Sequence, residues 1–257
     1  MPGVTAILIT LNESANIAAA LESVRWADEI VVVDAESHDE TVAIARRHTD
    51  RVIVRPWSGY IAQKNFAAAQ ASHDWIFSLD ADERVTPALA AEVKALMADE
   101  PSCAGYRGPR VSYYLGRWIR STDWYPDNQL RLYDRRRAAW VGRYVHESVR
   151  VDGAVGTLHA SLEHYPYRDV SHHLQTIDRY STLAARQMFE DGRRTGAAGI
   201  VVHGSAAFLR NYLLRGGFRD GSPGLIVSLL NSYYVAAKFV KLWEIGKKHE
   251  ARSKNPE

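Results

Sequence analysis

Short apolar runs at residues 4–11, 29–33, 51–54 and 75–79 alternate with helix-like runs at 15–24, 40–48 and 60–71, and a fourth helix-like run follows at 87–98. This alternation constrains the fold more than any other feature. Strands that alternate with helices imply a parallel sheet with right-handed crossovers, hence an α/β class. Ser37-His38-Asp39-Glu40 reads as a capping box opening the second helix. Thr86 and Pro87 suit the N-cap and first position of the fourth.

The pattern changes after Ser102. Residues 103–165 are rich in Tyr, Trp, Arg and Val. Pieces at 129–133, 140–151 and 154–163 predict antiparallel strands and hairpins, with Asp152-Gly153 as a turn. From Val170 the chain turns helical, at 172–191, 197–214 and 225–243. The polar tail, 246–257, is expected to fray. A chain of 257 residues allows one large domain with a helical appendage. A formal net charge of +2 gives no basic field that would suggest a nucleic acid polymer as partner. The single cysteine, Cys103, excludes an intramolecular disulfide and a cysteine-based zinc site, which fits a reducing compartment. The opening run, Val4 to Ile9, has no basic leader, so no secretion signal is expected. No eighteen-residue stretch is free of polar groups, so no ordinary spanning helix is expected.

Asp80-Ala81-Asp82-Glu83 follows the fourth apolar run, where open α/β sheets bind ligands. In extended backbone, residues two apart share a side, so Asp80 and Asp82 can face one site. Two close carboxylates repel unless a cation or ligand hydroxyls offset the charge, and hard oxygen donors suit Mg²⁺ or Mn²⁺ carrying a diphosphate. The plainer alternative is a solvated turn before a helix. Two other strand ends add polar groups: Thr10-Leu11-Asn12-Glu13, and Asp34-Ala35-Glu36-Ser37 followed by Asp39-Glu40-Thr41. The third helix adds Gln63-Lys64-Asn65. Together these outline a nucleotide pocket. Each has a structural alternative: Asp34 as a turn cap, Asn12 and Ser14 as helix caps, Lys64 as a solvated face residue.

Ile9-Thr10-Leu11-Asn12-Glu13, Trp26-Ala27-Asp28-Glu29-Ile30-Val31-Val32-Val33-Asp34, Gln63-Lys64-Asn65, Leu79-Asp80-Ala81-Asp82-Glu83, Arg131-Leu132-Tyr133 and Val145-His146-Glu147 together resemble the inverting glycosyltransferases of family 2, nearest the lipopolysaccharide core β-glucosyltransferase group. The resemblance covers about residues 4–165. One departure is Glu36, where such enzymes more often carry a small residue before the serine. The resemblance implies the GT-A fold, a Rossmann-like mixed sheet, with a C-terminal helical extension. It implies a nucleotide-binding part at 1–100, an acceptor-binding part at 101–165, a helical region at 166–245 and a tail at 246–257.

By this resemblance Thr10, Asn12, Glu13 and Asp34 line the base and ribose end of a UDP-sugar. Lys64 approaches the base or pyrophosphate, Asp80 faces the ribose and Asp82 holds Mg²⁺ or Mn²⁺. Inversion in one step needs a base on the face opposite the leaving group. Glu147 is the first candidate and Asp127 the second; His146 would complete the metal shell or contact phosphate. A cross-strand polar pair is the plainer reading of His146 and Glu147. Trp118, Trp124 and Tyr125 offer a flat wall for sugar rings or, alternatively, core. The implied reaction moves a hexose, glucose from UDP-glucose, to a glycolipid hydroxyl of a growing lipopolysaccharide core. Its rivals are transfer to polyprenyl phosphate or a peptide, a nucleotidyltransferase, and a non-catalytic UDP-binding module. The basic and aromatic residues of 206–243 suit cytoplasmic docking at the inner membrane face, or packing on the sheet or a second subunit of a homo-oligomer.

Overall fold

The first hundred residues fold as their alternation demands. The structure, a computed structural model, describes the backbone of residues 2–143 and 146–254 and the side chains of 2–142 and 147–251. The elements run β1 (Val4–Thr10), α1 (Ile17–Ser23), β2 (Glu29–Asp34), α2 (Thr41–Ala45), β3 (Val52–Val54), α3 (Tyr60–Ala69), β4 (Trp75–Asp80), β5 (Glu83–Val85) and α4 (Pro87–Ala98). There follow β6 (Gly105–Tyr114), β7 (Arg117–Ile119), β8 (Asp127–Asp134), β9 (Ala138–Arg143), β10 (His146–Val151), β11 (Val155–Thr157), β12 (Leu162–His164), α5 (Val170–Glu190), α6 (Ala197–Leu209) and α7 (Gly221–Lys254). The chain forms two compact units: Met1–Val111, Asp127–Gly142 and Glu147–Tyr165; and Ser112–Pro126, Arg143–His146 and Pro166–Glu257.

In the first unit the sheet order is β3-β2-β1-β4-β8-β6-β12-β5. β3, β2, β1 and β4 are parallel. β8 and then β6 continue the sheet antiparallel. Side chains alternate along β1. Ala6 and Leu8 join Ile17, Leu21, Val32, Phe77, Leu79 and Val93 on one face. Ile7 joins Val31, Val33, Ala67, Ile76 and Tyr133 on the other. Both faces are covered, which is why these strands read as continuous apolar runs. Each fully buried Val, Leu, Ile or Phe among them contributes roughly 1.5–3 kcal/mol. β2 lies on one side of β1 and β4 on the other, so the chain order reverses at β1. A crevice opens at such a point beyond the carboxyl ends of the strands, where Thr10, Asp34 and Asp80 end β1, β2 and β4.

Thr86 caps α4 as expected, accepting from the Leu89 amide at 3.2 Å. The capping box at Ser37 does not form. Asp39 serves α2 instead, accepting from the Thr41 amide at 3.0 Å and the Ser14 amide at 3.1 Å, while Ser37 turns to Asp34. The 140–151 run holds most of β9 and all of β10, which pair as a separate two-stranded sheet. The 154–163 run divides into β11 and β12, which pair with different strands. The tail does not fray at 246: α7 continues to Lys254, supported by the Lys248–Glu244 and Lys247–Glu250 pairs one turn apart.

In the second unit α5, α6 and α7 pack together; Ala185 and Met188 meet Phe239 and Leu242. The helix expected at 197–214 changes to a π turn at Arg210–Leu214. Contrary to the sequence expectation, Gly217–Ala251 is long and apolar enough to cross a membrane by length and composition. Asn231, Lys238 and Lys241 are spaced too widely to offset the surrounding apolar residues. A mostly buried core helix passes the same test, but only 22% of the apolar window of α7 is buried, on the side that meets α5 and α6.

His173, on α5, is buried, stacks on Tyr167 at 3.8 Å and places Nδ1 3.0 Å from the Tyr114 hydroxyl. Burial, with His172 adding, pushes its pKa down from 6.5 to about 4. The unfolded chain therefore takes up a proton at higher pH than the folded one. Above pH 6.5 this site adds no pH dependence. As pH falls from 6.5 to about 4 stability is expected to drop, by about 3 kcal/mol in all, and the loss is complete below that window. Urea unfolding across this range should give a shallower acid limb for His173→Phe than for wild type; equal slopes would contradict this origin.

Candidate active site

Asp34 ends β2 wholly buried. Its Oδ2 accepts from Thr10 Oγ1 at 2.8 Å and Ser37 Oγ at 2.6 Å, and its Oδ1 from the Ser37 amide at 2.8 Å. The Asn12 amide donates to Ser37 Oγ, and Asn12 Oδ1 accepts from the His38 amide at 2.9 Å. Asn12 and Glu36 both hold positive φ, near 56° and 59°. Side chains rarely adopt that region, so the clasp between these two loops is held against backbone strain. Neither Asn12 nor Ser14 is the helix cap; Asn16 holds that position. Glu13 donates its amide to Thr41 Oγ1 and accepts from Asn16. Burial raises the pKa of Glu13, its bond to Asn16 opposes this, and the charges of Asp82 and Asp39 raise it further.

Lys64 is buried rather than solvated. Its Nζ lies 3.0 Å from Asp80 and 2.9 Å from Glu147, and 4.2 Å from the centre of the Trp140 ring. Asn65 ties α3 to the Trp140 backbone in both directions. Asp80 also accepts from Arg131 at 2.6 Å. Arg131 reaches Glu83 at 2.5 Å, Glu83 meets Arg110 at 2.9 Å, and Arg110 grips Asp127 through Nε at 2.8 Å and Nη2 at 2.6 Å. Gln129 adds a third donor to Asp127 at 2.6 Å. Seven charged groups thus alternate in sign: Glu147, Lys64, Asp80, Arg131, Glu83, Arg110, Asp127. Both base candidates stand at the ends of this chain and Asp80 near its middle. Burial would raise the pKa of Asp80, but Arg131 and Lys64 overcome it and hold the carboxyl well below its usual range. Burial likewise opposes the charge on Arg131, and Asp80 and Glu83 more than restore it.

Asp80 and Asp82 do not share partners. The strand ends at Asp80 and Ala81-Asp82 form a turn, so the two-residue periodicity of a strand stops there. Asp82 stays part-exposed at 30%, with His164 Nε2 3.3 Å from its Oδ2. The antiparallel register of β5 and β12 sets His164 opposite Glu83 and so beside Asp82. Among the described residues no group of three or more His, Cys, Asp or Glu is placed to hold a metal ion. A part-exposed carboxylate beside an imidazole nevertheless fits Mg²⁺ or Mn²⁺, which take one or two protein carboxylates and fill the shell with substrate phosphate and water.

The site includes groups to which sequence reasoning gave no role: Glu83 and Arg131, which stand in the quoted motifs, and Arg110, Trp140 and His164, which do not. The side chain of His146 lies outside the described residues. Trp124 packs with Tyr114 and Tyr167 in a core cluster of the second unit, while Trp118 meets Tyr113 edge-on. A cavity of about 620 Å³, lined in part by Trp75, Asp134, Arg136 and Arg137, lies at the start of β4, the opposite end from Asp80.

A mixed sheet whose parallel strands gather carboxylates and a buried lysine at their carboxyl ends, with a part-exposed turn aspartate beside them, agrees with the GT-A fold that the resemblance implies. The pattern of Glycosyl transferase family 2 matches residues 5–166, and the chain belongs to that family of glycosyltransferases. The lipopolysaccharide core biosynthesis glycosyltransferase LpsC of Rhizobium meliloti (strain 1021) is 32% identical over 247 residues, covering 93% of this chain and 92% of its own. A glycosyltransferase of Rickettsia typhi (strain ATCC VR-144 / Wilmington), RT0209, is 30% identical over 96% of this chain and 89% of its own. Among solved structures, the mannosyltransferase PcManGT of Pyrobaculum calidifontis, in complex with GDP-Man and Mn²⁺, shares the fold with a TM-score of 0.56 at 18% identity. It spans 95% of this chain and 88% of its own.

Proposed function

We propose that the chain transfers a hexose, glucose from UDP-glucose, with inversion onto a glycolipid hydroxyl in lipopolysaccharide core or related cell-envelope glycan synthesis. The observation that carries this reading is the Lys64–Asp80–Arg131–Glu83 network at the end of β4, with Asp82 part-exposed beside it. The likeness to LpsC supports the acceptor class.

In this reading Thr10, Asn12, Glu13 and Asp34 shape the base and ribose end, and Asp80 fixes the ribose. Asp82, with His164 alongside, would hold Mg²⁺ or Mn²⁺, and the likeness to the Mn²⁺ complex of PcManGT supports such an ion. The ion, when bound, offsets negative charge on the departing diphosphate. Lys64 turns from Glu147 toward the diphosphate as it arrives and leaves Glu147 free. Glu147 then accepts the proton of the acceptor hydroxyl. The oxygen bonds to the anomeric carbon, the bond to the diphosphate breaks, and its electron pair leaves on the diphosphate. Glu147 suits this role better than Asp127, which three donors from Arg110 and Gln129 already occupy. The lipid-linked acceptor would be met at the cytoplasmic face of the inner membrane, with the C-terminal helices against the bilayer or a second copy.

The direct test incubates the protein and Mn²⁺ with UDP-glucose, UDP-galactose or GDP-mannose and measures nucleoside diphosphate release with and without a core glycolipid. Acceptor-stimulated release from UDP-glucose above the others supports the reading. Stimulated release from another donor alone would overturn the sugar assignment.

A further inference from the structure

We propose that residues 209–220 of the second unit form a bilayer-docking tip that seats on an anionic lipid surface. This deepens the membrane contact in the proposed function and rests on it for its biological setting, but the observations are its own. Outward, the segment presents Leu209, Leu213, Leu214 and Phe218, all more than half exposed, with Leu214 at 83%. Inward, its two buried polar side chains, Asn211 and Asp220, are bonded. Asn211 is buried: its Nδ2 donates to Asp123 and the Ala207 carbonyl, and its Oδ1 accepts from the Asp123 amide at 2.7 Å and from Asn231 at 3.1 Å. Asp220 is buried and accepts from the Arg120 amide at 2.9 Å, Ser121 Oγ at 2.6 Å and Arg117 Nε at 3.3 Å.

The backbone is equally constrained. The π turn at Arg210–Leu214 leads into Gly216 at φ +67° and a short 3₁₀ turn at Gly217–Asp220. A Cβ at Gly217 would lie 2.9 Å from the Asn211 carbonyl oxygen, and one at Gly224 2.0 Å from that of Gly217, so both glycines permit close backbone contact. A solvated loop turns its polar side chains outward. This one turns Asn211 and Asp220 inward and holds large apolar groups out among its exposed arginines.

Charge identifies the occupant. Segments 117–124 and 209–220 hold five arginines, Arg117, Arg120, Arg210, Arg215 and Arg219, against Asp123 and Asp220. Three positive charges remain in excess. Arg210 and Arg215 both pair with Asp123 yet stay about half exposed, leaving guanidinium donors for phosphate. Apolar side chains ringed by arginine match the interface of an anionic bilayer. Two copies meeting tip to tip would bring like charges together, which disfavours self-association through this surface.

Flotation with vesicles tests the tip. Wild type should float with phosphatidylcholine vesicles containing roughly one-third phosphatidylglycerol, and not with phosphatidylcholine alone. Leu213→Ser/Leu214→Ser/Phe218→Ser and Arg215→Gln/Arg219→Gln should each weaken binding roughly tenfold or more. UDP binding, measured on the same samples, should stay at the wild-type level, which separates failure of the tip from failure of the transferase reading. Absence of wild-type binding to anionic vesicles, or equal binding by both variants, overturns the proposal. A dimer that the triple-serine variant dissolves, without vesicle binding, overturns it in favour of self-association.

Discussion

Replacing Glu147 by glutamine is expected to lower the rate of sugar transfer by about 10²–10⁴-fold while the KM for the donor changes little. The substitution keeps the shape of the side chain and removes its ability to take a proton. Glu147 is held 2.9 Å from Lys64, which is itself fixed to Asp80 and lies over Trp140, so a glutamine fits the same place. Donor contacts assigned to Thr10, Asp34, Asp80 and Asp82 do not pass through it, and for Lys64, the donor contact it touches, a glutamine Oε1 still accepts from Nζ while Asp80 keeps its hold. A fall in kcat with unchanged donor KM is therefore the signature of a lost base. Retained transfer would point to an acceptor that needs no deprotonation, such as a polyprenyl phosphate. The parallel change Asp127→Asn should affect Arg110 and Gln129, its bonded partners, more than the proton transfer.

Arg131→Leu is expected to destabilise the protein by about 3–5 kcal/mol, read from urea unfolding. Arg131 is buried in β8 and bridges Asp80 at 2.6 Å and Glu83 at 2.5 Å. Glu83 has no exposure to solvent, so removing the arginine leaves its carboxylate buried with the Arg110 guanidinium and the Asp80 amide as partners, and weakens the hold on Asp80. Removing one partner of a buried pair costs more than the pair itself contributes, because the remaining charge stays desolvated. Arg131→Leu combined with Glu83→Gln should therefore recover part of the loss. A loss below about 1 kcal/mol for the single change, or no recovery in the double, would mean that water reaches the network and screens it.

The parallel half of the sheet could be read directly because its information is local. Unbroken apolar runs such as Val31-Val32-Val33 mark strands buried on both faces, and their polar ends mark the crevice. The network could not be read this way. Arg131 stands in a strand beside Leu132 and Tyr133, and its partners Asp80 and Glu83 meet it only because β8 lies beside β4. His164 reaches Asp82 only through the β5–β12 register, and three-residue strands leave little periodic signal. The capping box failed for a related reason. Asp34 draws Ser37 away from the helix start, and Asp39 takes its place. The α7 tail misled because its polarity suggested fraying, whereas spaced charge pairs continued the helix.

The central claim is that the carboxylate-rich end of β4 binds a nucleoside diphosphate with a divalent ion at Asp82. Calorimetric titration of UDP, with Mn²⁺ and with EDTA, on wild type and Asp82→Ala tests this most directly. The account predicts binding that requires Mn²⁺ in wild type and is lost in Asp82→Ala. Absence of UDP binding under both conditions, or binding by Asp82→Ala that equals wild type, would contradict it.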